Sequence, residues 1–284
     1  MGMRFIEKGG QPMILPDYHI HTSYSPDSTM DPEEAVRAAI ASGVTDLCFT
    51  EHMDLGHHME MYDQAPDFVG MEETISRLRE KYPEINIGKG IEVGYISETA
   101  EQTAEVLSGQ NFDYVLLSTH CVAGLDCGLP ESKRGQDKFT AYQRYLETVY
   151  ASVTDDRLTE YYDCVSHIGY IAKGLHYEDN TFPYEIFPKL FDKILREIIK
   201  KGKGIEVNTS GIDRGGHVLP HPSIIRRYRE LGGRIITIGS DAHRSEHVGA
   251  YIKEAVNIIV EAGFEEITVF HDREPRFVKI KRYD

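Results

Sequence analysis

The pattern that most constrains this chain is a regular alternation of short apolar strands with helical stretches, in which a polar side chain closes one strand after another. The strands are expected at Met13–Ile20, Asp46–Thr50, Asn86–Val93, Tyr114–Ser118, Cys164–His167, Gly204–Asn208 and Arg234–Gly239. Helices are expected from about Met30 to Gly43, Met71 to Lys81, Ser97 to Ser108, Lys138 to Asp155, Pro188 to Lys201, after Pro222, and His247 to Ala262. In the first helix Asp31 is placed to N-cap, Pro32 to sit at N1 and Gly43 to stop it. A last strand, Ile267–Phe270, and a charged tail follow.

Strands that alternate with helices pair in parallel. Seven such units and an extra C-terminal strand predict a closed or nearly closed (β/α) barrel. An open doubly wound sheet is the runner-up, but it normally carries a Gly-rich loop opening a helix after an early strand. Here Gly88-Lys89-Gly90 precedes Ile91 instead. No repeat, low-complexity tract or linker divides the 284 residues, so residues 1–284 are expected to form one barrel domain.

In a parallel barrel the C-terminal strand ends converge on one face, where active sites are built. His19 and His21 end the first strand, Glu51 and His52 the second, Glu92 the third, His120 the fourth, His167 the fifth, Asn208 the sixth, and Asp241 with His243 the seventh. Residues two apart on a strand share a face, so His19 with His21, and Asp241 with His243, each form a pair able to bind metal. Glu92 lies among apolar neighbours, and a buried carboxylate must be paired or bind a cation. Asp27, in Tyr24-Ser25-Pro26-Asp27-Ser28, reads by itself as a turn residue. His57, His58, His176, His221, His247 and His271 read as solvated or capping histidines. His217 is set apart because its loop follows the sixth strand and should overhang the same rim.

The formal charge of −15 argues against a broad nucleic-acid surface. It leaves room for a small anion, because bound cations invert the local field. The four cysteines form no CxxC pair or zinc-knuckle spacing and read as thiols of a reducing compartment; Cys121 is not read as a nucleophile. Residues 1–16 lack the apolar core of a signal peptide, the myristoylation pattern fails at Ile6, and no run of 18 apolar residues exists. A cytoplasmic location with no membrane partner is expected. The sequence sets no oligomeric state. GxSxG, Walker A and HExxH are absent, and a glycosidase pair of Glu92 and Asp241 would leave six rim histidines unexplained.

Asp17-Tyr18-His19-Ile20-His21-Thr22, Ser25-Pro26-Asp27-Ser28 and Thr50-Glu51-His52 resemble the opening of the PHP (polymerase and histidinol phosphatase) family. Glu92, Ser118-Thr119-His120, Ser166-His167 and Gly239-Ser240-Asp241-Ala242-His243 continue the likeness, from about residue 14 to 280. Within the family the length, Glu206 to Gly211 and Phe270 to Pro275 are similar to the stand-alone histidinol-phosphate phosphatases.

The resemblance implies a distorted, TIM-like (β/α)7 barrel with three divalent metal ions, the identity open among Zn, Mn and Fe. His19, His21, Glu92 and Asp241 would hold the first metal. Glu92, His120 and His167 would hold the second, with Glu92 bridging. Asp27, His52 and His243 would hold the third; some family members have His where Asp27 stands. The implied reaction is hydrolysis of L-histidinol phosphate, a small phosphorylated substrate, by a hydroxide bridging two metals. Arg214, then Arg157 and Arg196, are candidates to hold phosphate. Asn208 or His217 could hold the other end of the substrate, and Asp17 or His217 could protonate the leaving alkoxide. Other readings are a PHP phosphoesterase for another small ester such as a nucleotide, an amidohydrolase-like barrel, for which no strand-end Lys is visible, and a non-catalytic metal-binding module.

Overall fold

The computed structural model describes residues 15–174 and 176–283. Met13 and Ile14 of the first expected strand, and the leader and lipidation readings, lie outside the described residues.

Seven parallel strands pair in chain order: β1 (Pro16–Ile20), β2 (Asp46–Met53), β3 (Asn86–Gly94), β4 (Tyr114–Ser118), β7 (Cys164–Val165), β8 (Gly204–Asn208) and β9 (Ile236–Gly239). The barrel nearly closes where β9 returns to β1. There the Asp241 N–H donates to His19 O at 2.7 Å and the His21 N–H to Ala242 O at 2.9 Å. Between the strands run α1 (Pro32–Ser42), α2 (Phe68–Lys81), α3 (Ala100–Ser108), α4 (Lys138–Thr154), α5 (Pro188–Lys200), the single turn α6 (Ile212–Gly215), α7 (Pro222–Glu230) and α8 (Ile252–Glu261). A two-stranded hairpin, β5 (Cys121–Val122) and β6 (Leu125–Asp126), follows β4.

The strands are apolar on both faces because both are buried. Ile91, Val93, Val115, Leu117, Ile205, Val207, Ile236 and Ile238 face outward into a core shared with helix residues such as Leu146, Phe191 and Ile224. In α5 the buried positions are Phe191, Ile194, Leu195 and Ile198, one stripe at helical spacing. Alternate strand residues turn inward. At the N-terminal end of the strands these are Tyr18, Cys48, Tyr114, Leu116 and Cys164, packed with Phe270.

Several boundaries move. α1 has the expected Asp31 cap and left-handed Gly43. α2 begins three residues early, because the Asp67 side chain accepts from the Gly70 N–H; Gly70 and the exposed Val69 hide that turn in the sequence. β2 runs on to Met53 and β7 stops at Val165. β9 starts at Ile236, and the segment from His247 becomes helical only at Ile252, after Tyr251 at φ 57°. The charged tail is corrected: Glu274–Lys279 is a strand, β11, antiparallel to β10 (Glu266–His271). Its pattern is hard to read because it lies at an edge and carries Pro275.

Candidate metal centre

All nine expected donors gather at the C-terminal mouth of the barrel, around Glu92. One oxygen of the fully buried Glu92 carboxylate lies 2.8 Å from His167 Nε2 and 3.2 Å from His120 Nε2. The other lies 3.2 Å from His19 Nε2, 3.3 Å from His21 Nε2 and 3.1 Å from His52 Nδ1. Asp241 Oδ1 is 3.5 Å from His21 Nε2, and Asp27 Oδ2 is 3.0 Å from His243 Nε2. Asp241 adopts φ 56°, in the left-handed region that a non-glycine residue rarely occupies.

The geometry depends on residues that carry no bulk. A Cβ on Gly239 would collide with the His19 side chain and Glu206, and one on Gly94 would overlap the Asp54 carboxylate. Both strands can therefore pass close to the cluster only as glycine.

Further partners aim the imidazoles. His19 Nδ1 is 2.6 Å from Glu206 Oε1, and His120 Nδ1 is 2.7 Å from Asp54 Oδ1. With those nitrogens donating, the Nε2 lone pairs are left facing the centre, as in carboxylate–histidine–metal arrangements. His243 Nδ1 is placed to donate to Asp241 O at 2.9 Å. His21 Nδ1 meets Ser25 Oγ at 3.1 Å, and that hydroxyl donates to Glu51. Sequence reasoning missed Asp54 and Glu206 as partners. The inward alternation of β8, with Glu206 between the outward Ile205 and Val207, is the signal that could have found Glu206.

The donors fit divalent cations. His52 Nδ1, Asp54 Oδ2 and Glu92 Oε2 are buried without a hydrogen-bond partner, a costly arrangement that a cation would satisfy. His19, His21 and Glu92 converge, as do His52, Glu92 and His120; His19, His167 and Asp241; and His21, His52 and His243. In each trio the ligand atoms lie within 4.8 Å of one another. The expected nine residues are all in contact, but these trios cut across the three sets that the family resemblance implies.

Charges follow the same packing. Burial alone would raise Glu92, yet the imidazoles of His19, His120 and His52 outweigh it and hold the carboxyl well below its ordinary value. Burial opposes charge on His52, but Glu92, Asp27 and Asp54 push it up to about 10. His21 is driven well down by burial and by the neighbouring His52 and His243. Opposed shifts in one cluster mark coupled groups at a functional site.

The centre forms the floor of a cavity of about 460 Å³. Arg214 lines it. Lys173, which no sequence pattern marks, also lines it and pairs with Asp241 Oδ2 at 2.5 Å from the short helical turn after β7.

Other expectations are corrected. Asp17 is fully buried and accepts from the Ser240 and Gly249 backbone N–H groups, both at 2.8 Å, so it braces β1 against the chain after β9. Asn208 is also fully buried, bonded to Glu206 and to Ser210. His217 pairs with its neighbour's carbonyl, Val218 O, rather than lining the cavity. Arg157 is tied to Asp155 and Ser97 O at the surface, and Arg196 is exposed on α5. None of these five side chains lines the cavity: local partners hold Asp17, Asn208, His217 and Arg157 elsewhere, and Arg196 lies on the exposed face of α5. His57, read as solvated, is buried. Burial pushes the Cys121 thiol up to about 12, away from the thiolate that a nucleophile needs.

Fold and site together define a metal-centre (β/α) barrel, its candidate ligands drawn from six of the seven barrel strands or the loops beyond them, while β8 supplies Glu206 as the partner of His19. Residues 17–210 match the PHP domain model, and the chain belongs to the PHP domain family. It is 32% identical to a probable histidinol-phosphatase of Clostridium acetobutylicum over 85% of this chain and 91% of that one. It is 28% identical to the histidinol-phosphatase of Lactococcus lactis, over 89% and 93%. The crystal structure of histidinol phosphate phosphatase from Lactococcus lactis, complexed with zinc, L-histidinol and phosphate, superposes with a TM-score of 0.83. That match has 26% identity and covers 93% of this chain and 99% of the other.

Proposed function

We propose that this protein is a metal-dependent phosphomonoesterase that hydrolyses L-histidinol phosphate to L-histidinol and phosphate. The observation that carries the reading is the Glu92 carboxylate ringed by five imidazoles on a cavity floor, with buried donors left unsatisfied. The substrate is supported by the histidinol-phosphatase relatives and by the L-histidinol and phosphate bound in the Lactococcus lactis structure.

Three divalent ions would be held by His19, His21, Asp27, His52, Glu92, His120, His167, Asp241 and His243, with zinc favoured by the bound relative. When bound, such ions lower the pKa of water to make a nucleophile and neutralise charge on phosphoryl oxygens. The chain's own residues do the rest. Glu206 and Asp54 hold His19 and His120 in the ligating tautomer. Lys173, Arg214 and Arg244 bring positive charge to a cavity rich in carboxylates and imidazoles, where phosphate oxygens can be held. The described residues form one domain in this reading, its barrel plugged by the C-terminal hairpin. No helix among them is long and apolar enough to cross a membrane, and the proposed location is the cytoplasm.

The test is phosphate release from L-histidinol phosphate beside a panel of phosphomonoesters, nucleotides included, after chelation and metal add-back. Selective, metal-restored turnover of histidinol phosphate is expected. Strong turnover of another ester with none of histidinol phosphate would sink the substrate assignment while keeping the phosphoesterase.

A further inference from the structure

A second group of donors lies beside the centre and belongs to none of the roles above. The loop after β2 carries His57 and His58, and the β5–β6 hairpin carries Cys121 and Asp126. One ligand atom each from His57, His58 and Cys121 lies within 4.8 Å of the others. The two rings stack, with centroids 4.6 Å apart. Asp126 faces Cys121 across the hairpin, and its Oδ2 is 4.0 Å from His57 Nε2. The other carboxylate oxygen of Asp126 is taken by the Gly128 N–H at 2.7 Å, leaving Oδ2 available.

We propose that His57, His58, Cys121 and Asp126 form a separate site for one divalent cation of the zinc type.

Two independent features support it beyond proximity. His57 is 5% exposed, and its ring is held by the Met59 N–H donating to Nδ1 at 3.1 Å, which directs Nε2 at Asp126. The Cys121 thiol is buried, free of any disulfide and next to those imidazoles. Imidazole, thiolate and carboxylate are the donors of tetrahedral zinc sites, with Zn–S near ~2.3 Å and Zn–N near ~2.0 Å. Ligand atoms in such a site sit roughly 3.5 Å apart, so these must draw in by about 1 Å. His58 is exposed and can swing to do so.

The proton bookkeeping is simple. The thiol of Cys121 loses its proton to solvent as the S–metal bond forms. His57 Nδ1 stands 3.1 Å from the Met59 N–H. Ligation through Nε2 moves the ring proton to Nδ1 and gives up that contact for a metal bond. A filled site would clip the loop after β2 to the β5–β6 hairpin. His57 and Asp126 both line the cavity, so the clip would set the shape of its mouth.

Sulfur separates this site from the main centre, whose nine proposed ligands are all nitrogen or oxygen donors. The full-length protein, stripped and reloaded with Co²⁺, is read by near-ultraviolet thiolate-to-cobalt charge transfer and by cobalt per chain. The expected result is a charge-transfer band in the wild type that is lost in Cys121→Ser and in His58→Ala, each with one cobalt fewer. His58→Ala alters an exposed side chain, so it tests the site even if Cys121→Ser does not fold. A wild type without the band at saturating Co²⁺, or a band that survives either substitution, overturns the proposal. The readout does not involve phosphatase turnover, so it stands or falls apart from the proposed function.

Discussion

The two ends of one barrel solve the problem of buried polar groups in opposite ways. At the N-terminal end of the strands, every buried acid has a fixed protein partner. Asp113 accepts from the Lys89 N–H at 2.9 Å and from Arg79 at 2.7 Å, and Asp163 accepts from the Val115 N–H at 2.8 Å and from Arg273 at 2.9 Å. The C-terminal hairpin closes this end: Phe270 packs on Tyr18 and Tyr114, and the Tyr18 hydroxyl donates to Phe270 O at 3.0 Å. At the C-terminal end, acids face imidazoles that share one carboxylate, and several buried ligand atoms there have no hydrogen-bond partner. Satisfied polar groups hold a fold together, whereas unsatisfied convergent ones mark where a ligand belongs. The comparison teaches that the same strands carry stability at one end and chemistry at the other.

Substitutions at the two ends should therefore separate activity from stability. The largest effect is expected for Asp241→Ala or His19→Ala: phosphatase activity lost together with bound metal, the circular dichroism unchanged, measured by turnover and elemental analysis. Full activity in both would remove the metal hypothesis. At the opposite end, Phe270→Ala should cost about 3–5 kcal/mol in urea denaturation, with turnover per folded molecule and metal content retained. Loss of metal in that variant would break the division between the ends. Glu206→Gln keeps the shape but weakens the acceptor for His19, and should lower metal affinity or activity about 10- to 100-fold. Removing the carboxyl of Asp54, by Asp54→Asn, belongs to the same range through His120.

The smallest expected effect concerns pH at the hairpin end. Burial raises Asp163 above its ordinary 3.8, although Arg273 opposes this. A carboxyl with a raised folded pKa favours the fold most when protonated, so its contribution falls as pH rises from 3.8 through the raised value. Asp163→Asn should flatten that slope in denaturation curves collected across acid pH. An unchanged slope would show that Arg273 fully compensates the buried charge.

What could be read from the sequence follows from where the donors sit. His19, His21, Glu92, His120 and His167 each stand at or just beyond an apolar strand, and strand alternation shows which way such residues point. The residues that serve the ligands were harder to see. Asp54 lies beyond the expected end of β2, Glu206 is one acid inside a strand, and Lys173 comes from a short turn with no periodicity. Arg157 misled for the opposite reason: charge and loop position do not tell whether Asp155 has already claimed it. His57 looked solvated because its loop is polar, but the hairpin after β4 covers it.

By itself the sequence determined the order of elements, their parallel pairing and eight of the nine candidate ligands, because these depend on local periodicity and on strand ends that converge in any parallel barrel; Asp27, by itself a turn residue, joined them only through the family resemblance. Only the tertiary structure decided which oxygens and nitrogens share Glu92, which carboxylates aim the imidazoles, and that Asp17 and Asn208 brace the rim. Those outcomes depend on distances of about 3 Å between residues nearly 200 positions apart in the chain, as with His19 and Glu206 at 2.6 Å, and no local pattern encodes them.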